Sequence, residues 1–96
     1  MIKILMISIR GNKLKVLKFT ASWCKVCPSV SATFDAIKDD IKIDVVDVDV
    51  DSNYKIAQDM RVKSLPAIVL VDDNGAEIKR HFGSISSKEL LTFLGL

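Results

Sequence analysis

The sequence predicts an α/β domain, a mixed sheet flanked by helices that takes up residues 1–96 as one unit. Three observations point to it. Val- and Ile-rich runs alternate with segments whose apolar residues recur at helical spacing. Asn74-Gly75 stands between two extended runs, a hairpin signal that adds an antiparallel strand to a sheet otherwise connected through helices. Ser86 is followed by Glu89 just before an apolar run, the signature of a capped final helix.

Each element has its own reason. Ile2 to Ile9 is apolar with polar breaks and reads as a strand, closed by the turn Arg10-Gly11-Asn12-Lys13. Leu14 to Thr20 alternates Leu14 and Val16 with Lys13 and Lys15, then closes on Leu17, Lys18 and Phe19, a central strand ending just before the cysteines. From Cys24 the period changes. Val30, Phe34, Ile37 and Ile41 recur at helical spacing, and Pro28 falls in or near the first turn, where proline costs a helix least. Ile43 to Val50 is a strand whose Asp44, Asp47, Asp49 and Asp51 punctuate its end. Ile56, Ala57 and Met60 mark a short helix reaching about Arg61. Ala67 to Val71 is a continuous apolar run, as expected of a strand buried on both faces. Ala76 to Phe82 returns antiparallel, and the last helix carries Leu90, Leu91, Phe93 and Leu94 on its apolar side.

Composition narrows the function. With 49 % hydrophobic and 27 % charged residues the chain is globular. Its net charge is only +2 and its basic residues are dispersed, so neither nucleic acid nor an anionic membrane is the expected partner. Ile4-Leu5-Met6-Ile7 soon meets Ser8, Arg10 and Asn12, too short a run for a signal-peptide core or a membrane span. The expected compartment is therefore the reducing cytoplasm, and the expected state a monomer.

The chain has two cysteines, Cys24 and Cys27. A structural disulfide framework would need more of them, and a structural zinc site about four ligands. His81 is the one other soft or nitrogen ligand, so no metal is expected unless two chains share a site. A thiolate, rather than a thiol, attacks disulfides. Cys24 stands where a strand ends and a helix begins, so the positive end of the helix dipole lowers its pKa. Cys27 follows one turn later on the same face, within reach of an intramolecular disulfide. Position divides the labour: Cys24 attacks the substrate, and Cys27 attacks the Cys24 sulfur and releases the reduced product. Two cysteines acting as small buried hydrophobes, or as half of a metal site, are the alternatives that the pair alone leaves open.

Phe19-Thr20-Ala21-Ser22-Trp23-Cys24-Lys25-Val26-Cys27 resembles the active-site segment of the thioredoxin family, aromatic-Ala-x-Trp-Cys-x-x-Cys. Downstream, Ser64-Leu65-Pro66 resembles its cis-proline loop, Asn74-Gly75 its hairpin and Phe82-Gly83 its glycine turn before the last helix. The motifs run in the family's order from about Leu14 to Leu96. The resemblance implies a thioredoxin-like fold and a protein-disulfide oxidoreductase, an electron carrier of cell redox homeostasis. It implies no cofactor beyond the redox-active Cys24–Cys27 disulfide. Trp23 would shield the dithiol. Pro66 would be cis and expose the Leu65 backbone to a substrate strand. Gly83 and Ser84 would line the same groove. Trp23 as ordinary core, and Pro66 as the plain start of a buried strand, are the simpler readings.

Three departures from the family matter. Lys25-Val26 replaces the usual Gly-Pro between the cysteines, and Lys25 places a cation beside Cys24. Stabilising the thiolate stabilises the reduced form, so the disulfide should be more oxidising than in an ordinary thioredoxin. Counting back from Cys24 puts Lys18 where the family has a buried acid; counting back from Pro66 puts Asp47 where it has a lysine. The pair is charge-swapped. Either Asp47 replaces the missing base, or Lys18 lowers a cysteine pKa, or Lys18 reaches solvent and does neither. Finally, the N-terminal strand–helix unit is shortened. Arg10 to Lys13 cannot make a parallel crossover, which takes about a dozen residues. Ile2–Ile9 should therefore run antiparallel to Leu14–Thr20, at the sheet edge next to Ile43–Val48.

The leading function is reduction or exchange of disulfides in protein substrates, with recycling by an NADPH-dependent thioredoxin reductase. A glutaredoxin-like protein recycled by glutathione is the runner-up, favoured by Lys25-Val26 and the short N-terminus, while Trp23 favours the first. A non-catalytic thioredoxin-fold binding module and a dimeric metal site built from two CxxC pairs are the remaining classes.

Overall fold

The computed structural model describes residues 14–41 and 43–95. Lys15–Thr20 forms strand β1, Asp44–Asp49 β2, Ala67–Val71 β3 and Glu77–Phe82 β4. Helix α1 spans Cys27–Ile37 and runs into a single 3-10 turn at Lys38–Asp40; α2 spans Tyr54–Asp59 and α3 Ser87–Phe93. The sheet order is β2-β1-β3-β4. β1 pairs parallel with β2 and antiparallel with β3, and β3 pairs antiparallel with β4. This is the mixed sheet expected of the sequence. The pairing expected for Ile2–Ile9 lies outside the described residues.

Alternation along β3 explains why the whole strand is apolar. Ile68 and Leu70 enter one core with Val16, Val30, Phe34 and Leu90, beneath α1 and α3. Ala67, Val69 and Val71 enter the other with Phe19, Val48 and Ala57, against α2. A strand with a packed layer on each face takes a polar residue only where that residue finds partners, and β3 has none. β1 is buried in the same way, with Val16 and Phe19 fully inaccessible, and Lys18 is the one charged residue among the described core.

The first helix begins at Cys27, three residues after the junction expected at Cys24. Cys24 lies ahead of it, in a turn where its N–H donates to the Ala21 carbonyl at 3.1 Å. Pro28 occupies the first helical turn, as its missing N–H allows. Helical spacing runs on to Ile41, but the α-helix ends at Ile37; the 3-10 turn still delivers Ile41 to the core.

Three local devices fix the β3–β4 turn, β4 and the start of α3. The β3–β4 turn is organised by Asp72, whose Oδ1 accepts from the N–H groups of Asn74 and Ala76, both at 2.9 Å. Gly75 supplies the positive φ of +86° that the turn requires. Arg80 on β4 pairs with Glu77 and donates to the Met60 carbonyl at 2.8 Å, anchoring the segment that leads to Pro66. At the start of α3 the Ser86 hydroxyl accepts from the Glu89 N–H, while the Ser86 N–H donates to the Glu89 carboxylate. These bonds hold the Glu89 carboxyl below its ordinary range, the Ser86 N–H contributing most. Their stabilisation is present above the unfolded carboxylate's pKa and is lost as pH falls through the folded one.

Candidate active site

The dithiol occupies one end of the sheet. β1 ends at Thr20, and the turn that follows carries Cys24 to the start of α1, where Cys27 is the first residue. The two cysteines are disulfide-bonded, with Cα atoms 5.5 Å apart. Their exposures differ: Cys24 is half-buried and Cys27 is 4 % exposed.

Sheet register brings the other motifs to the same end. Phe19 pairs with Ala67, and Ala67 with Phe82. Pro66 and Gly83, the next residues outward, therefore lie at the dithiol end of the sheet. The Gly83 N–H donates to the Pro66 carbonyl at 2.9 Å, joining the two loops. The Leu65–Pro66 bond is cis and Pro66 is fully buried, with Leu65 half-buried beside it. Ser84 is exposed next to Gly83. Trp23 is 64 % exposed, so it is no core residue; its indole N–H donates to Asp51 Oδ1 at 3.1 Å. Lys25 and Val26 are exposed on the turn between the cysteines.

Lys18 and Asp47 meet. They are register partners in the parallel β1–β2 pair, and Lys18 Nζ lies 2.8 Å from Asp47 Oδ1. The lysine end is buried and the aspartate end is not, with side chains 10 % and 71 % exposed. The ammonium also donates to Ser31 Oγ at 3.3 Å and lies 5.2 Å from the centre of the Phe34 ring. Carboxylate, hydroxyl and ring face together meet the ammonium's need for partners on leaving water.

Beneath the disulfide is an open cavity of about 280 Å³. Thr20, Cys24, Cys27, Ser31 and Asp49 line it. Ser31 links the cavity to Lys18. Sequence reasoning did not single out Ser31, Asp49 or Asp51. Two of the three carried a usable signal. Ser31 is four residues after Cys27 and so shares its helix face, and Asp49 is two after Asp47 and so shares its strand face. Among the described residues no cluster of three or more His, Cys, Asp or Glu is placed to hold a metal ion.

Comparison with known proteins agrees with this geometry. A family model described as Thioredoxin matches residues 6–95. A thioredoxin of Echinococcus granulosus is 37 % identical over 78 residues, covering 80 % of this chain and 72 % of that protein. One from Mycolicibacterium smegmatis is 34 % identical over 85 residues, covering 84 % of this chain and 75 % of that protein. Among solved structures, thioredoxin-2 of the malaria parasite, described as a component of its protein secretion machinery, superposes with a TM-score of 0.79 at 32 % identity. That match covers 88 % of this chain and 82 % of the other. Matched by the family model over nearly all its length, and carrying a Cys24–Cys27 disulfide at the strand-to-helix junction, the chain belongs to the thioredoxin family of thiol–disulfide oxidoreductases.

Proposed function

We propose that Cys24 is the attacking thiolate and Cys27 the resolving thiol, in a cycle that reduces disulfides of protein substrates. The observation that carries this reading is the unequal exposure of the two sulfurs' residues at one junction. Cys24 is the more exposed of the two, and Cys27, at 4 % exposure, is placed to attack Cys24 and not a bulky protein substrate. Cys24 forms a mixed disulfide with the substrate. Cys27 then closes the Cys24–Cys27 disulfide, and the substrate leaves reduced. Trp23, Leu65, Pro66, Gly83 and Ser84 form the substrate face, on which the Leu65 backbone pairs with an extended substrate segment. No cofactor beyond the dithiol takes part.

Family membership implies disulfide-containing protein substrates and a reductant. We assign the reductant to an NADPH-dependent thioredoxin reductase in the cytoplasm, acting on the monomer. Trp23 ahead of Cys24, on an exposed substrate face, supports that choice over glutathione. Among the described residues no helix is long and apolar enough to cross a membrane. Paired turnover assays test the assignment. With thioredoxin reductase and NADPH, a disulfide-containing protein should be reduced continuously; with glutathione and its reductase, turnover should be at least about tenfold slower at equal oxidant. Faster turnover with glutathione refutes the assignment.

Two cations set the potential. Lys25 stands beside Cys24, and Lys18 reaches the dithiol cavity through Ser31. Each favours thiolate, which stabilises the reduced form. The expected potential is above the about −270 mV typical of thioredoxin, and Lys25→Gly should lower it. Equilibration with a glutathione redox buffer measures both. A wild-type value at or below that figure contradicts the electrostatic argument.

A further inference from the structure

Closing the disulfide needs Cys27 as a thiolate, so its proton has to leave a residue that is 4 % exposed. Lys18 is no acceptor, because an ammonium held by Asp47 at 2.8 Å has no lone pair to offer. Asp47 is engaged in that pair and does not line the cavity beneath the sulfurs. Asp49 does, and it is the one carboxylate among the residues that line it. It faces Thr20 in the β1–β2 register, two residues beyond Asp47 toward the dithiol end. Strand alternation puts it on the face shared by Asp47 and Lys18, while Val48 between them enters the opposite core. Asp49 Oδ1 accepts from the Asp51 N–H at 2.9 Å, which fixes the carboxylate and leaves Oδ2 for a proton.

We propose that Asp49 accepts the Cys27 thiol proton across this cavity, doing so from β2 because the central-strand position beneath the dithiol is held by a lysine. The inference rests on the dithiol cycle given above. In the step, the Cys27 S–H bond breaks and the proton passes to the Asp49 carboxylate. The Cys27 sulfur forms a bond to Cys24 Sγ, the Cys24–substrate S–S bond breaks, and its electron pair leaves on the substrate sulfur. The dithiol loses two electrons and the substrate disulfide gains them. Asp49 then releases its proton to solvent. The nearest other charged groups, none of which lines the cavity, are Lys18 on β1, its ion-pair partner Asp47 on β2, Asp51 in the loop after β2 and Lys25 between the cysteines. From α1 the cavity receives Cys27, Pro28 and the hydroxyl of Ser31, which hydrogen-bonds Lys18.

Asp49→Asn keeps an acceptor for the Asp51 N–H and removes the proton acceptor. The experiment is single-turnover reduction of a disulfide-containing protein, acid-quenched and separated into mixed disulfide and product across a range of pH. Formation of the mixed disulfide should stay within about twofold of wild type, while its resolution slows about tenfold or more near neutral pH. The deficit should vanish as rising pH ionises Cys27 unaided, and Asp49→Glu should recover most of the rate. Asp44→Asn, which removes the same charge from the far end of β2, should change neither step. An unchanged resolution rate in Asp49→Asn overturns the proposal. So does a faster one, which would mean the carboxylate only opposed Cys27 ionisation. So does a loss by the same factor at every pH, or an equal loss in Asp44→Asn. If wild type itself forms no mixed disulfide, the dithiol cycle fails instead.

Discussion

Cys24→Ser should lower steady-state reduction of protein disulfides by at least about a thousandfold. A serine hydroxyl stays protonated at neutral pH, and an alkoxide forms no disulfide, so both the attack and the covalent intermediate are lost. Cys24 is the half-buried member of the pair, and the cis Leu65–Pro66 loop and Gly83 lie at the same end of the sheet. The buried Cys27 cannot take over as nucleophile. Far-ultraviolet circular dichroism of the variant should match that of the reduced wild type. Retention of a tenth of the activity or more would assign the function to the surface, as in a binding module, and not to the dithiol.

Phe19→Ala should cost about 3–5 kcal/mol of stability. Phe19 is fully buried in the core that also holds Val48, Ala57, Ala67 and Val69, at the centre of the sheet and one residue from Lys18. Removing the ring leaves a cavity that four packed elements cannot close without moving the strand that delivers the dithiol. A domain of this size holds about 5–15 kcal/mol in total, so the variant keeps a small margin at best. Its thermal midpoint should fall by more than about 10 °C. Ile78→Ala, at a side chain that is 49 % exposed on β4, should cost a small fraction of that. Denaturant unfolding of reduced protein measures both; a Phe19→Ala cost below about 1 kcal/mol would contradict this account of the core.

Much of this was legible in the sequence where one physical requirement allows few solutions. Ala67–Val71 could be read because a strand between two packed layers favours an unbroken apolar run. The Ser86–Glu89 box could be read because its two hydrogen bonds are local. The meeting of Lys18 and Asp47 followed from counting back from two motifs, which fixes a strand register without coordinates. The start of α1 did not follow from spacing. Cys24 to Val26 carries no periodic signal, and the turn closed by the Ala21 carbonyl competes with the helix there. The β3–β4 turn was marked by Asn74-Gly75, yet its hydrogen bonds converge on Asp72, a residue the dipeptide signal does not include. Ser31 and Asp49 were missed for a related reason. A serine on a helix and an aspartate at a strand end both look like solvated positions until the cavity between them is seen.

The most direct test of the dithiol account is to trap its intermediate. Cys27→Ser removes the resolving sulfur and leaves Cys24 able to attack. Mixed with a disulfide-containing protein, this variant should accumulate a covalent one-to-one complex, and peptide mass spectrometry should find the substrate cysteine joined to Cys24. Added dithiothreitol should release both partners. A variant that accumulates no adduct, while wild type reduces the same substrate, would contradict the assignment of Cys24 as the attacking sulfur and Cys27 as the one that resolves.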